Sequence, residues 1–213
     1  AQRDLSKNIL EAQEKERQRV ARELHDSVNQ LLSSTKHRLH DLEKRLIRQN
    51  QPLRRIVVQT RHLVERTITE IRAISRNLRP SELDDLGLLA AMRTLGAEFR
   101  ARTRFRATLR LSDLMPALPP QIELTIYRIL QEALTNVEKH SRATAIEVRF
   151  SASLTAVTLC VKDNGCGFAD KPATNGSHWG LANMRERASY VNGLLLVQSK
   201  VGWGTQIEFK IPL

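Results

Sequence analysis

His25 stands directly before Asp26 in the run Leu24-His25-Asp26-Ser27-Val28-Asn29-Gln30, which places an imidazole beside a carboxylate. A carboxylate that takes the proton from one ring nitrogen leaves the other able to attack a phosphorus atom. Gln30 follows five residues on, a little over one helical turn, where its amide could hold a water at the same patch. A second set is Glu132, Asn136 and Lys139, spaced i, i+4 and i+7 so that one helix face carries all three, with His140 next in line. An amide oxygen there can ligate magnesium, which takes hard oxygen donors. Downstream, Asp163-Asn-Gly165-Cys-Gly167 follows an apolar run, and its glycines let backbone pass close to a ligand. Gly176-Ser-His-Trp-Gly180-Leu181 leads into a helical stretch whose first N–H groups could cradle phosphate. Gly202-Trp-Gly204-Thr205 is the last such segment.

Singly, each has a plain structural explanation. A lone histidine usually belongs to a solvated helix face, and Asp-Asn-Gly is more often a hairpin turn. His37, His40 and His62 read as surface helix residues. Arg17, Arg19 and Arg22 suit a solvated face as well as they suit contact with an acidic protein.

The elements that must position these groups follow from periodicity. Neither Gly nor Pro occurs from Leu5 to about Ile47, and Leu24, Val28, Leu31, Thr35, Leu39, Leu42 and Leu46 recur in steps of three and four. That is one apolar stripe on a long helix. After a polar turn before Pro52 the pattern resumes at Leu53 and runs to Leu78, until Pro80 ends it. Two such helices make an antiparallel hairpin. One hairpin cannot fully bury its stripe, so a homodimer with a four-helix bundle is expected. Beyond Pro80, Ser81-Glu-Leu-Asp-Asp85 reads as an acidic turn and Leu86 to about Ala101 as a helix. Residues 104–111 read as a strand, Pro119-Pro120 opens a helix through about Lys139, and runs at 145–151, 156–162, 194–199 and 205–211 read as further strands. The expected fold class is α+β: a helical hairpin over residues 1–80, then an α/β sandwich over residues 81–213.

Composition bounds the rest. A chain of 213 residues suits two compact units. No apolar stretch nears the roughly 18 residues of a membrane helix, and the polar first residues lack the apolar core of a secretory signal. They read as a helix entered partway along, so an upstream sensor region outside this chain is expected. With only two cysteines a reducing, cytoplasmic compartment is expected for this part, and a membrane anchor is admitted in the full-length protein. Cys160 and Cys166 are too few for a disulfide framework or a zinc site. The net charge of +11 admits nucleic acid, acidic lipid or an acidic protein as partner. The chain's five Phe, two Trp and two Tyr lack the aromatic interleaving of single-strand binders, and no direct nucleic-acid partner is expected.

Together the segments form a known pattern. Glu16-Arg17, Arg19, Ala21-Arg22-Glu23-Leu24-His25-Asp26 and Gln30 follow E-R-x-R-x-A-R-E-L-H-D-x-x-x-Q. The stretch resembles the acceptor helix of the histidine-kinase subfamily that serves response regulators with helix-turn-helix output domains, the NarL/LuxR type. That subfamily's P-x-x-L-x-x-x-G-L element stands here as Pro80, Leu83, Gly87 and Leu88. Residues 121–213 resemble the GHKL or Bergerat-type ATP-binding domain that histidine kinases share with type II topoisomerases, mismatch-repair ATPases and certain heat-shock chaperones.

The resemblance implies a sensor histidine kinase core using ATP and Mg2+. It implies that His25 takes phosphate from ATP and passes it to a response-regulator aspartate. Asp26 would act as base in that step, and Gln30 would orient water in the phosphatase direction. It further implies Asn136 as magnesium ligand, Glu132 as base or water-mediated metal contact, and Lys139 facing the phosphates with His140 beside it. Asp163 would accept from the adenine amino group, with Gly165 and Gly167 close to the base. Gly180 and Leu181 would open the phosphate-facing helix, and Thr205 would join the water network of Asp163. Two departures stand out. Glu132 replaces an Asn common in the wider superfamily, and the Gly176 segment is poorer in glycine than usual.

Two other classes share parts of this pattern. An ATP-driven clamp or hydrolase would carry the nucleotide segments without an acceptor helix. A basic nucleic-acid module would need base-reading side chains, whereas the basic residues are scattered over several elements. No G-x-x-x-x-G-K-[ST] run occurs, which excludes a P-loop ATPase.

Overall fold

A computed structural model of the chain describes residues 2–46, 50–78, 80–103, 105–112, 116–169 and 179–213. Within the helices, the side chains at 2–8, 10, 11, 25, 76, 77, 81, 82 and 179 lie outside the description. So do Gly176, expected at the phosphate cradle, and Arg104, expected at a strand start. The chain divides into two compact units, residues 1–81 and 82–213.

In the first unit, α1 (Gln2–Glu23) passes through one π-helical turn, Leu24–Val28, into α2 (Asn29–Arg45). α3 (Gln51–Leu78) packs back along both. Its start is capped by Asn50, whose Oδ1 accepts the Leu53 N–H at 3.3 Å, and Pro52 occupies the first turn, where no N–H is needed. Arg61 of α3 donates to Glu43 of α2 at 3.0 Å and to Glu65 at 2.8 Å, while the buried Ser75 hydroxyl donates to the Ala21 carbonyl at 3.1 Å. Ala21, Val57 and Ile68 are buried, yet Leu31, Leu42, Leu53, Ile56, Leu63 and Ile74 stay exposed. The apolar stripe is thus wider than one hairpin covers. Among the described residues, no helix is long and apolar enough to cross a membrane.

In the second unit, α4 (Ser81–Leu86) corrects the expected acidic turn, and α5 (Leu88–Arg102) starts two residues later than expected. The reason is burial: coiling the acidic stretch carries Leu83 into the core, and Gly87, at φ +80°, separates it from Leu88, also in the core. The remaining elements are β1 (Arg106–Leu111), α6 (Pro120–Asn136), a second π turn (Val137–Ser141), β2 (Ala145–Ala152), β3 (Ala156–Asp163), α7 (Trp179–Tyr190), β4 (Leu194–Lys200) and β5 (Gly204–Pro212). One sheet takes the order β1-β2-β3-β5-β4. β1 and β2 are parallel, the crossover between them containing α6, and the other pairs are antiparallel. The inward face alternates Ile146, Val148, Phe150 with Val157, Leu159, Val161 and Ile207, Phe209, Ile211, against Ile126, Ile129, Leu130 and Ala133 of α6. Arg149, Lys162 and Lys210 alternate outward. One-sided burial explains why these strands announce themselves in sequence.

Candidate nucleotide site and acceptor helix

α6 and its π turn face β3 and β5 across a cavity of about 660 Å³. Glu132, Asn136, Lys139 and His140 contribute from the helix and its π turn; Asp163 and Thr205 from the ends of β3 and β5; Gly167 from the turn after β3; Gly180 and Leu181 from the start of α7. The volume suits a nucleotide-sized ligand. Ala133, Val137 and Ile207 add an apolar wall that the sequence reading missed. A signal existed for each: Ala133 and Val137 each follow a member of the polar row, and Ile207 lies two residues past Thr205 on one strand face.

Gly165 is not among the residues that line the cavity, although Ser141, Cys166 and Gly167 around it are. A methyl group on it would collide with the Ser141 backbone carbonyl, and the next residue, Cys166, donates its N–H to that carbonyl at 2.7 Å. Gly165 therefore lets the turn after β3 lie flat against the π turn after α6. Asn164 fastens the other side, its Oδ1 accepting the N–H groups of Thr144 at 3.0 Å and Ala145 at 2.9 Å.

The turn aims Asp163. Only 6% exposed, its carboxylate accepts the Gly165 N–H at 2.8 Å and also the Thr205 N–H. Burial pushes its pKa above the ordinary carboxylate range, and the two backbone donors pull partly against that. A buried carboxylate with lone pairs left for a cavity suits a ligand that donates N–H.

Gly180 brings α7 against α6. A methyl group there would collide with the Glu132 carboxylate and press on the Asn136 amide, so both polar side chains flank one point. Glu132 presents a carboxylate oxygen to that point and Asn136 its amide nitrogen, and the oxygen on the other arm of the same amide is a hard donor of the type magnesium takes.

The acceptor helix differs from a regular one. The N–H of Asn29 bonds the carbonyl of Leu24, five residues back. In an uninterrupted α-helix, positions 25 and 30 would stand about 140° apart around the axis. One extra residue in the turn reduces this to roughly 40°, the relation that i and i+4 hold in a regular helix. Asp26 and Gln30 are exposed there. His25 is described through its backbone alone.

Residues 16–83 match the family described as histidine kinase, and residues 121–213 match the family described as histidine kinase-, DNA gyrase B-, and HSP90-like ATPase. The chain is 36% identical over 211 residues to sensor histidine kinase MctS of Rhizobium johnstonii, covering 98% of this chain and 45% of that protein. It is 32% identical over 215 residues to oxygen sensor histidine kinase NreB of Staphylococcus carnosus, covering 100% and 60%. The chain thus spans about half the length of the curated relatives it matches. The histidine kinase domain of the blue-light activated histidine kinase EL346 from Erythrobacter litoralis has a similar fold, with a TM-score of 0.54 at 18% identity, covering 86% of this chain and 94% of that one. An acceptor-type helical unit followed by an ATPase-type unit, matched over nearly the whole chain by sensor kinases, places this chain in the histidine kinase family.

Proposed function

We propose that the chain is the core of a sensor histidine kinase, which moves the γ-phosphoryl group of ATP onto His25 and then onto an aspartate of a response regulator. A ring nitrogen of His25 forms the new bond to phosphorus as the bond to the β-phosphate oxygen breaks, and Asp26 takes the proton from the other ring nitrogen. Gln30 holds the water that hydrolyses the regulator's acyl phosphate. In the second unit, Asp163 receives the adenine amino group, Lys139 and His140 face the phosphates, and Asn136 with Glu132 hold Mg2+, which neutralises phosphate charge. The observation that carries this reading is the coexistence, in one chain, of the H-D-x-x-x-Q helix and a cavity lined by Glu132, Asn136, Asp163 and Thr205.

Two partners belong to the reading. The exposed Leu31, Leu42, Leu53, Ile56, Leu63 and Ile74 are covered in a homodimer by the same stripe of a second copy. The acceptor sequence favours a regulator with a helix-turn-helix output domain. The test is incubation with γ-labelled ATP and magnesium. Label on the wild type that survives alkali, is lost in acid and is missing from His25→Gln supports the proposal. Label retained on His25→Gln overturns it.

A further inference from the structure

The Ser199 hydroxyl, on β4, joins three groups: it accepts the Phe168 N–H at 2.9 Å, lies 2.9 Å from Thr205 Oγ1, and lies 3.2 Å from the Gly204 carbonyl oxygen. A serine hydroxyl has one proton and two lone pairs. Phe168 occupies one lone pair. The Gly204 carbonyl has no proton to offer, so the Ser199 proton goes to it. The second lone pair then takes the Thr205 proton. Reversing the Ser199–Thr205 bond would set the Gly204 oxygen against the Ser199 oxygen with no proton between them, a repulsive arrangement.

We infer that Ser199, which does not line the cavity, is a positioning residue that locks the Thr205 hydroxyl as a hydrogen-bond acceptor and thereby helps select an aminopurine over an oxopurine nucleotide. Thr205 and Asp163 both line the cavity, and the Thr205 N–H is already spent on the Asp163 carboxylate. With its hydroxyl proton turned to Ser199, Thr205 offers lone pairs alone. The base edge then meets two acceptors, which suit an exocyclic amine and repel a keto oxygen. Without Ser199, Thr205 can turn and donate. The inference rests on the ATP reading proposed above.

The experiment measures dissociation constants of the full chain for ATP and for inosine triphosphate, which carries a keto oxygen in place of the amine. In wild type the ratio favours ATP. In Ser199→Ala the preference is expected to fall about tenfold, the scale of one hydrogen bond gained or lost. Ser199→Thr, which restores a hydroxyl, is expected to restore the ratio. A merely structural role would weaken both nucleotides equally. An unchanged ratio in Ser199→Ala, with wild-type ATP binding intact, overturns the inference alone, whereas a wild type that binds neither nucleotide overturns it together with the ATP reading. If Ser199→Ala does not fold, Ser199→Cys carries the same comparison, because a thiol is a poor acceptor for the Thr205 proton.

Discussion

The backbone N–H of Asn29 reaches back five residues to the carbonyl of Leu24, and this single wide turn carries Gln30 round to the side of the helix where position 25 lies. Asp26 and Gln30 then flank one position with different chemistry, since a carboxylate accepts protons and an amide only orients. Asp26→Asn is expected to slow autophosphorylation by roughly 10² to 10⁴, the usual loss with a general base. Gln30→Ala is expected to leave autophosphorylation nearly unchanged while slowing dephosphorylation of the regulator. Measuring both rates on both variants decides: equal depression of the two by Gln30→Ala rejects the division of labour.

Gly165 and Gly180 are both in close contact, with opposite consequences. An added methyl at Gly165 meets a backbone carbonyl, which cannot shift without losing the 2.7 Å bond from Cys166. Gly165→Ala is expected to destabilise the second unit by about 2 kcal/mol or more, seen as a lower Tm in calorimetry. At Gly180 the methyl meets the tip of the flexible Glu132 side chain, which can swing away. Gly180→Ala is expected to keep its Tm, because Ala suits a helix better than Gly. With Glu132 displaced, its phosphoryl-transfer rate should fall, by about ten- to a hundredfold. A stable Gly165→Ala or a fully active Gly180→Ala would contradict these placements.

Asp163 links site and stability. Its pKa in the folded chain is raised, chiefly by burial, so the native state holds this proton more tightly than the unfolded chain. Stability of the nucleotide-free protein therefore falls as pH rises from the ordinary aspartate range through the raised value. Asp163→Asn removes that component. At neutral pH it is expected to melt no lower than wild type, although its ATP affinity is lost with the charged acceptor. Thermal melts of both proteins across mildly acidic to neutral pH check the sign, and the same pH slope in both would refute it.

Ile56 and Leu63, both exposed on α3, probe the dimer. Charging both, as Ile56→Glu with Leu63→Glu, is expected to give a monomeric mass by light scattering at micromolar concentration while ATP binding persists. A dimer that survives both changes would place the interface elsewhere.

Much of this was legible in residue order. Long helices without Gly or Pro, strands buried on one face, and the set Glu132, Asn136, Lys139 each obey a period of 3.6 or 2, which a linear chain displays directly. The Asp163 and Thr205 segments were likewise legible, because strand ends with glycines leave a compositional mark. The Ser81 to Asp85 stretch hides its helix for the converse reason: its acidic residues signal a turn, and only the burial of Leu83 coils it into α4.

Three relationships were decided by tertiary structure alone. The π turn at position 25 leaves no trace in composition, since the backbone there merely skips one hydrogen-bond step and the helix goes on. Gly165 shows an Asp-x-Gly signature in the sequence, and only the folded structure sets it against the Ser141 carbonyl. Ser199, well removed in sequence from Phe168, meets that amide and Thr205 because β4 pairs with β5 and the turn after β3 lies beside both. Periodicity specifies which face a residue takes; which distant proton meets which lone pair depends on strand order and close packing, and neither is written in local sequence.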